Sequence, residues 1–397
     1  MIETRYIQTD TELYQAAELA SAAFGSRNPD VESLKAHPLY RPEVMRVRVM
    51  DGRVVAHLRI VDRTLRVGLA EWRMGGISAV CTSPEFRKQG HASALLEDAI
   101  QWMTSQGFDM TLLTGIPDFY DRFGYAVCWP TSFMSIPIER AAALDQLVAV
   151  APAGPDDIPD LSSLYEQSWG KRTVSLTRDE PYWRWLCERG GGVWIARNAR
   201  GTACGYIGGL NDREASVAEL VADHPDAARS LLAFSAHRLQ SAGRERMRVL
   251  IARGDPVVGW LRRVVPVQLI EETLPAGGWM ARFISLESAM QKMQEEFSVR
   301  LLRSTLRDWR GRINFETDLG TVALSWRYGH VTVSSAMPRG GFTCRLPQDR
   351  LMQLVLGFRT PSDVAMDVDV QIPEEAIPLL DVLFPPDVGA IAGLDWF

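Results

Sequence analysis

The period with which apolar and polar residues alternate changes along the chain, and the changes predict a mixed α/β fold. Residues 4–8 are typical of a short extended segment, and the pattern from Asp10 to about Phe24 predicts a capped helix. Asp51-Gly52 lies between two valine-containing runs, which is typical of a β-hairpin. The first part of the chain therefore predicts a sheet that begins with antiparallel strands.

The junction at residues 80–92, V-C-T-S-P-E-F-R-K-Q-G-H-A, joins a short apolar strand to an amphipathic helix. A turn of this kind points several backbone N–H groups at one place, and the helix N-terminus adds partial positive charge. Arg87 and Lys88 add full charges, and Gly90 lets the backbone approach a ligand with no Cβ in the way. The junction suits a pyrophosphate, although the pattern also fits an ordinary turn with solvated cations.

Residues 217–230 repeat the outline of this junction in a second α/β block, which follows the Pro- and Gly-rich linker 151–159. When Pro225 is aligned with Pro84, the strand and the following helix are kept. The phosphate-binding positions differ: Ala228 replaces Arg87, Leu231 replaces Gly90, and Asp223 adds an acid. Such a loop should repel a pyrophosphate, which favours a duplicated fold with one working site. Coincidental similarity of two α/β segments is the alternative.

A third block follows the boundary that residues 275–278 mark by their proline and glycines. Its periodicity predicts a small α+β domain. The predicted elements are a helix at 286–293, strands at 320–326 and 330–334, and a helix from 348 to about 357.

Composition is that of a globular protein with more than one domain. At 397 residues and a formal net charge of −6, the chain is too long for one ordinary core and too acidic for a general nucleic-acid binder. It lacks a run of about 18 apolar residues and an apolar export segment, so a cytoplasmic protein without a membrane span is expected. Its five cysteines are scattered without a Cys-x-x-Cys pair, which favours free thiols over disulfides or a zinc site.

Two motifs connect the sequence to a known family. Arg-x-x-Gly-x-Ala at residues 87–92 resembles the acyl-CoA loop of the GNAT acetyltransferase superfamily. D-F-Y-D-R-F-G-Y at residues 118–125 resembles a segment of its enhanced intracellular survival (Eis) family, and the chain length and aromatic C-terminus D-W-F extend the resemblance over essentially the whole chain. The resemblance implies a catalytic GNAT domain at 1–148, a degenerate second GNAT-like domain at 149–282, and a sterol-carrier-protein-like α+β domain at 283–397.

The same resemblance implies a homo-oligomer, with a hexamer as the expected assembly. For the C-terminal domain it leaves open a lipid-binding tunnel or a packed core, and the packed core is favoured. In either case this domain supplies the C-terminal carboxylate.

The resemblance also implies which residues hold acetyl-CoA, the expected cosubstrate, without a metal. The N–H groups of Val80 to Thr82 would bind pantetheine and polarise the acetyl carbonyl, and Lys88 to Ser93 would hold the pyrophosphate. His91 departs from the small or apolar residue usual in the family, and we expect a loop position for it, with donation to a phosphate left open and without the role of a base. The expected cofactor-binding residues are Val80, Cys81, Thr82, Arg87, Lys88, Gln89, Gly90, His91, Ala92, Ser93, Gly115 and Ile116.

No histidine or cysteine has an evident triad partner, which favours direct attack of an amine on the thioester over a covalent intermediate. The resemblance implies Tyr120 as the general acid that protonates the leaving thiolate, with Tyr125 as the fallback. It implies the terminal carboxylate of Phe397 as the general base. From the pattern alone, a core aromatic at Tyr120 and a tail buried for stability at Phe397 stay open as alternatives.

The expected function is N-acetylation of an amine on a cationic small molecule or a lysine side chain. Family members that acetylate aminoglycosides surround the amine with acids, whereas here Trp396 is penultimate and Gly25-Ser26 follows Phe24. The nearest acids are Asp30 and Glu32, so a polyamine, a lysine side chain or an arylalkylamine is as good a candidate as an aminoglycoside. The alternative function is a non-catalytic regulatory protein that binds acyl-CoA on a GNAT scaffold.

Overall fold

The computed structural model describes residues 2–25, 31–188, 192–336, 340–387 and 389–397. Contacts divide the chain into two compact units: unit 1 contains Met1–Trp129, Leu274–Asp387 and Phe397, and unit 2 contains Pro130–Thr273 and Val388–Trp396. The predicted mixed α/β class is confirmed, whereas the division into three domains stays a prediction. Across the described ranges, no helix combines the length and the apolar character that crossing a membrane requires.

Unit 1 begins with the antiparallel strands that the sequence predicts. Its first elements are β1 (Ile2–Tyr6), α1 (Asp10–Phe24), α2 (Val31–Ala36), β2 (Met45–Met50), β3 (Arg53–Val67), β4 (Ala70–Thr82), α3 (His91–Ser105), β5 (Met110–Gly115) and β6 (Ala126–Trp129). The β2–β3 hairpin turns at Asp51-Gly52, where both residues have the positive φ that a tight hairpin turn needs (48° and 80°). Helix α1 is capped by the Thr9 hydroxyl, which accepts from the N–H of Glu12, so the predicted cap at Asp10 is one residue late.

Unit 2 is built around its own mixed sheet. Its elements are β7 (Thr131–Pro137), α4 (Ile138–Ala142), β8 (Ala149–Pro152), α5 (Ile158–Ser168), β9 (Val174–Leu176), α6 (Glu180–Glu188), β10 (Val193–Arg197), β11 (Ala203–Asn211), β12 (Ser216–Ala222), α7 (Pro225–Leu239), β13 (Arg246–Leu250), α8 (Pro256–Leu261) and β14 (Gln268–Glu272). The sheet order is β14-β7-β13-β12-β11-β10-β8. Residues 151–159, interpreted from composition as a linker, instead begin in the edge strand β8, where proline is tolerated.

The last part of the chain returns to unit 1. Its elements are β15 (Gly278–Phe283), α9 (Leu286–Lys292), α10 (Gln294–Leu302), β16 (Gly311–Thr317), β17 (Gly320–Arg327), β18 (His330–Ser334), β19 (Phe342–Arg345), α11 (Gln348–Val355), α12 (Pro361–Val364) and α13 (Ile377–Leu383). Strand β15 lies between β5 and β6, which gives the order β1-β2-β3-β4-β5-β15-β6, and a separate sheet has the order β18-β17-β16-β19. Residues 278–282, assigned by sequence to the second domain, thus pair in unit 1, and residues 131–137, assigned to the first, pair in unit 2.

Helices α1 and α3 pack on strands β3 and β4 of unit 1. The apolar face of α3 that the sequence predicts is buried, with Leu95, Leu96 and Met103 fully covered. Burial of these side chains is the main stabilising contribution of the helix and fixes its N-terminus beside the end of β4.

The two strand-to-helix junctions have connectors of different length. In unit 1, residues 83–90 separate β4 from α3, whereas in unit 2 only residues 223–224 separate β12 from α7. The second helix begins at Pro225 because the fixed φ of proline suits the first helical position. The prediction that Ala228 and Leu231 occupy loop positions is therefore wrong: both lie inside α7 and are buried.

Candidate active site

Strands β4 and β5 run parallel and then separate, which opens the sheet of unit 1. Their pairing joins Met74–Ile77 to Met110–Leu113. Beyond this ladder β4 continues to Thr82 and β5 to Gly115. Within the described residues, the β5-facing edge of β4 is therefore without a strand partner after Ile77, and its backbone groups can bind a ligand.

A β-bulge accompanies the separation. The register between β3 and β4 shifts between His57 and Arg59, opposite the end of β4. Ala79 has φ of 55°, an uncommon value for a residue with a Cβ. Bulges bend a strand and are frequent beside active sites, so this irregularity makes the end of β4 a candidate functional position.

The opening forms a cavity of about 830 Å³. Its wall is made by the end of β4, the connector to α3, the first turn of α3, the turn around Tyr120, the end of α1, and Phe397. The lining residues are Ala23, Phe24, Ile77, Ser78, Ala79, Val80, Cys81, Thr82, Phe86, Arg87, Lys88, Gly90, His91, Ala92, Ser93, Thr114, Ile116, Phe119, Tyr120, Arg122 and Phe397.

The predicted cofactor-binding residues all line this cavity except Gln89 and Gly115. Gln89 points to the surface, where its amide donates to the carbonyl of Glu85 at 3.3 Å. Gly115 lies behind Tyr120, because a Cβ there would come within 2.8 Å of the tyrosine ring. Gly115 thus acts on the site indirectly, by making room for Tyr120.

The connector between β4 and α3 has the backbone geometry that an anion site needs. Lys88 and Gly90 both have positive φ (62° and 80°), which turns successive N–H groups toward one place. Gly90 is the N-cap of α3 and makes no side-chain capping bond, so the first N–H groups of the helix are left for a ligand. Arg87 and Lys88 are exposed, and Arg87 Nε lies 3.4 Å from the carbonyl oxygen of Thr82.

His91 opens α3 and is buried. Its Nδ1 accepts a hydrogen bond from Arg48 Nε at 3.3 Å, and among the described residues its Nε2 has no hydrogen-bond partner. Burial, with a smaller effect of the Arg48 charge, lowers the pKa of His91. The neutral ring then has its proton on Nε2 and can donate a hydrogen bond there. The expected loop position is wrong, because His91 is the first residue of α3.

Cys81 is the thiol in the cavity wall. Burial raises its pKa to about 12. The thiol therefore stays protonated near neutral pH, and the thiolate is the form of cysteine that attacks a thioester. This fits the expectation of direct attack without a cysteine-bound intermediate.

The two candidate tyrosines have different surroundings. Tyr120 lines the cavity, no hydrogen bond to its hydroxyl is found in the described part of the chain, and burial raises its pKa to about 12. Tyr125 does not line the cavity, and its hydroxyl lies 3.1 Å from Thr111 Oγ1 in the core. Burial also raises the pKa of Tyr125. Of the two hydroxyls, that of Tyr120 is the one free to meet a ligand in the cavity.

Phe397 lies in the same cavity. Its ring packs against Gly76 on β4, where an added Cβ would come within 2.4 Å of the phenyl carbon Cζ. The ring also makes an edge contact with Trp279, at 6.2 Å between centroids. Glycine at position 76 is thus the feature of β4 that admits this ring, and the sequence pattern did not reveal it.

Several lining residues were missed by the sequence analysis. Phe24 and Phe86 have no spacing that separates them from ordinary surface or core residues, whereas Phe119 and Arg122 belong to the motif at residues 118–125 but were given no role in the site. The sequence offered one signal for Arg122, because an arginine placed between aromatic residues in the F-Y-D-R-F segment can form a cation–π contact. In the structure its guanidinium lies over Phe119, 5.0 Å from the ring centroid.

The two acids that the sequence analysis placed nearest to the acceptor, Asp30 and Glu32, are not among the described residues that line the cavity. Glu32 lies in α2 and does not line the cavity. Ser26 and Asp30 lie outside the described residues. Trp396 donates from its indole nitrogen to the carbonyl of Ile391 at 3.2 Å in unit 2.

Comparison with known proteins agrees with this geometry. Residues 3–128 match the family model of an acetyltransferase (GNAT) domain. No curated protein matches the sequence. A GCN5-related N-acetyltransferase from Anabaena variabilis ATCC 29413 is similar in structure, with 19% identity, 100% of both chains covered and a TM-score of 0.75.

Two further solved structures are similar over the whole chain. One is a conserved protein of unknown function from Enterococcus faecalis V583, described as a probable N-acyltransferase, with 14% identity, 100% of both chains covered and a TM-score of 0.78. The other is Eis1 from Mycobacterium abscessus, with 18% identity, 100% of both chains covered and a TM-score of 0.68. At these identities the likeness concerns the fold. The chain carries a GNAT acetyltransferase domain at residues 3–128, and its place in the Eis family stays a prediction.

Proposed function

We propose that the protein is an acetyl-CoA-dependent N-acetyltransferase that acetylates an amine of a cationic small molecule or a lysine side chain. The observation that carries the proposal is the convergence of a basic glycine-containing loop, the Tyr120 hydroxyl and Phe397 on one cavity. The GNAT domain supports acyl transfer as the reaction class.

In this proposal the connector and the first turn of α3 hold the pyrophosphate of CoA. The positive φ values at Lys88 and Gly90 and the uncapped helix end support this assignment. The free edge of β4 from Val80 to Thr82 receives the pantetheine arm and polarises the thioester carbonyl. Loss of one donor of this type typically costs about 3 kcal/mol of transition-state stabilisation.

Tyr120 is the proposed general acid. A phenol with a pKa near 12 is a weak acid toward a free thiolate, whose conjugate acid has a pKa of about 8.5 in water. A thiolate formed in this cavity is desolvated by the same wall, and burial raises the Cys81 thiol to a pKa of about 12 in that wall. Desolvation of the leaving thiolate raises its proton affinity above the value in water, which favours proton transfer from Tyr120.

The proposed general base is the α-carboxylate of Phe397. An alkylamine has a pKa of about 10.4 and must lose a proton before or during attack. A carboxylate beside the acceptor favours binding of the ammonium form and then accepts its proton, directly or through water. The packing of the Phe397 ring against Gly76 supports this role because it holds the residue at the cavity.

Tyr120→Phe and Tyr125→Phe form a matched pair for testing the proposal. Loss of a general acid should lower kcat of Tyr120→Phe roughly 100-fold while its affinity for CoA is kept. Tyr125→Phe should lose about 1 kcal/mol of stability with its hydrogen bond to Thr111 and keep kcat within a few-fold. Thiol release from acetyl-CoA in the presence of amines measures kcat, and calorimetry measures CoA binding.

Equal turnover of Tyr120→Phe and wild type would contradict the assigned role of Tyr120. Binding of CoA by the wild type without thiol release for any amine would instead support the regulatory acyl-CoA-binding protein. The two failures are separate, since the first concerns one residue and the second the reaction itself.

A further inference from the structure

The cavity wall is unusually rich in aromatic rings. Phe24, Phe86, Phe119, Tyr120 and Phe397 all line it. Phe24, at the end of α1, leaves 64% of its surface exposed, so its ring is accessible to a bound molecule. The wall therefore offers flat apolar surface to a bound molecule.

The charged side chains of the wall are cationic. Arg87 and Lys88 belong to the phosphate loop, while Arg122 lies in the turn that also carries Tyr120. Among the described residues, neither an aspartate nor a glutamate side chain lines the cavity. The negative group near the reacting amine is, in the proposed mechanism, the α-carboxylate of Phe397 alone.

Arg122 is held in place by the aromatic residues around it. Its Nε donates to the carbonyl of Phe119 at 3.3 Å, and its guanidinium lies 5.0 and 5.9 Å from the ring centroids of Phe119 and Phe123. A fixed cation beside Tyr120 repels a second ammonium group on an acceptor. The proposed carboxylate offsets the charge of one ammonium group, and none of the described lining residues offers an acidic side chain to a second.

We propose that the acceptor is a small amine with one cationic nitrogen and an aromatic or similarly flat apolar body, and that Arg122 acts against polycationic amines. This inference rests on the proposed N-acetyltransferase function and names its substrate class. The aromatic residues outside the connector bind the body of the acceptor, the carboxylate binds its ammonium group, and Arg122 acts against polyamines and aminoglycosides.

The test compares three probe amines: 2-phenylethylamine, n-butylamine and spermidine. Thiol release from acetyl-CoA should give kcat/KM at least roughly tenfold higher for 2-phenylethylamine than for either of the others, because only this amine has both a ring and a single charge. Spermidine used as well as or better than 2-phenylethylamine would overturn the substrate class and leave the proposed function in place. No thiol release with any of the three would overturn the proposed function itself.

Charge reversal at Arg122 gives the second arm. Arg122→Glu should raise kcat/KM for spermidine about tenfold, since it replaces a repulsive cation by an acid, and should change 2-phenylethylamine much less. The control is Arg327→Glu, an equal change of net charge at an exposed residue that does not line the cavity. An increase for spermidine as large in the control as in Arg122→Glu, or none in Arg122→Glu, would overturn the role assigned to Arg122.

Discussion

Each unit contains two parallel strands that pair over a few residues and then separate, β4 and β5 in unit 1 and β12 and β13 in unit 2. The surroundings of the two openings differ. In unit 1, β4 separates from β5, and a cavity with a basic connector lies at the opening. In unit 2, β12 pairs with β13 only at Ser216 and Val217 and then continues to Ala222. Residues 393–395 of the tail lie against β12 just beyond that point.

The contacts of this tail in unit 2 are close. A Cβ on Gly393 would come within 1.7 Å of the Ala218 carbonyl oxygen, and the Leu394 side chain covers Gly208. The N–H of Leu394 donates to Glu219 Oε2 at 3.3 Å. The second strand end is therefore occupied by the protein's own chain.

The two openings also differ in the environment of their cationic side chains. At the first junction Arg87 and Lys88 are exposed and unpaired with any acid in the described residues. In unit 2, Arg178 is fully buried and forms forked ion pairs with Glu219 at 2.7 Å and Asp395 at 2.9 Å. One pair of separating strands has exposed cations beside it, and the other has a buried cation that is neutralised by two acids of the same unit. A repeated strand–helix outline therefore does not imply a repeated binding site.

The largest effect is expected from removing the buried cation of unit 2. Arg178→Met leaves the carboxylates of Glu219 and Asp395 buried without a positive partner, which should cost about 3–5 kcal/mol of stability. Urea denaturation measures it, and Arg178→Lys, which keeps the charge but loses the fork, should lose less. A loss below about 1 kcal/mol for Arg178→Met would show that the cluster is not a buried ion-pair network.

An acidic residue in the β4–α3 connector should remove the proposed anion binding that distinguishes this connector from the one between β12 and α7. Gly90→Asp introduces an aspartate, which tolerates the positive φ of position 90 better than most other residues. Because it places a negative charge at the proposed phosphate site, CoA affinity should fall about 100-fold, or about 3 kcal/mol. Gly243→Asp is the control, since Gly243 also has positive φ (64°) and an equally open Cβ position. Calorimetric titration measures the affinity of each variant for CoA. Equal affinities of Gly90→Asp and Gly243→Asp would disprove the assigned phosphate site.

A smaller effect is expected from the exposed cation of the loop. Arg87→Ala should weaken CoA binding roughly tenfold, with a loss that shrinks as salt rises, and should leave stability nearly unchanged. Arg229→Ala removes a cation of α7 that lies 3.8 Å from Asp145 and should not alter CoA binding. Similar binding losses in both variants would point to a general charge effect.

The local elements of the fold were predictable because their signals are local. The Asp51-Gly52 hairpin, helix α3 and the strands β17 and β18 follow from turn residues and periodicity over a few positions. The cavity residues from Val80 to Ser93 were predictable because they are nearly contiguous in sequence.

Features that depend on contacts between distant residues were not predictable. The insertion of β15 between β5 and β6, the placement of the Phe397 ring on Gly76, and the Arg178 cluster join residues far apart in the chain. The bulge at Ala79 has no signature residue. The hexamer, the cytoplasmic location and the sterol-carrier-protein-like domain stay predictions.

The crystal structure of a complex with CoA is the most direct test of the central claim, that one of the two junctions binds the cofactor. The account predicts the diphosphate within hydrogen-bond distance of the N–H groups of residues 88–93, with the thiol between Tyr120 and Phe397. Diphosphate bound beside β12 and α7, or a thiol far from Tyr120, would contradict it.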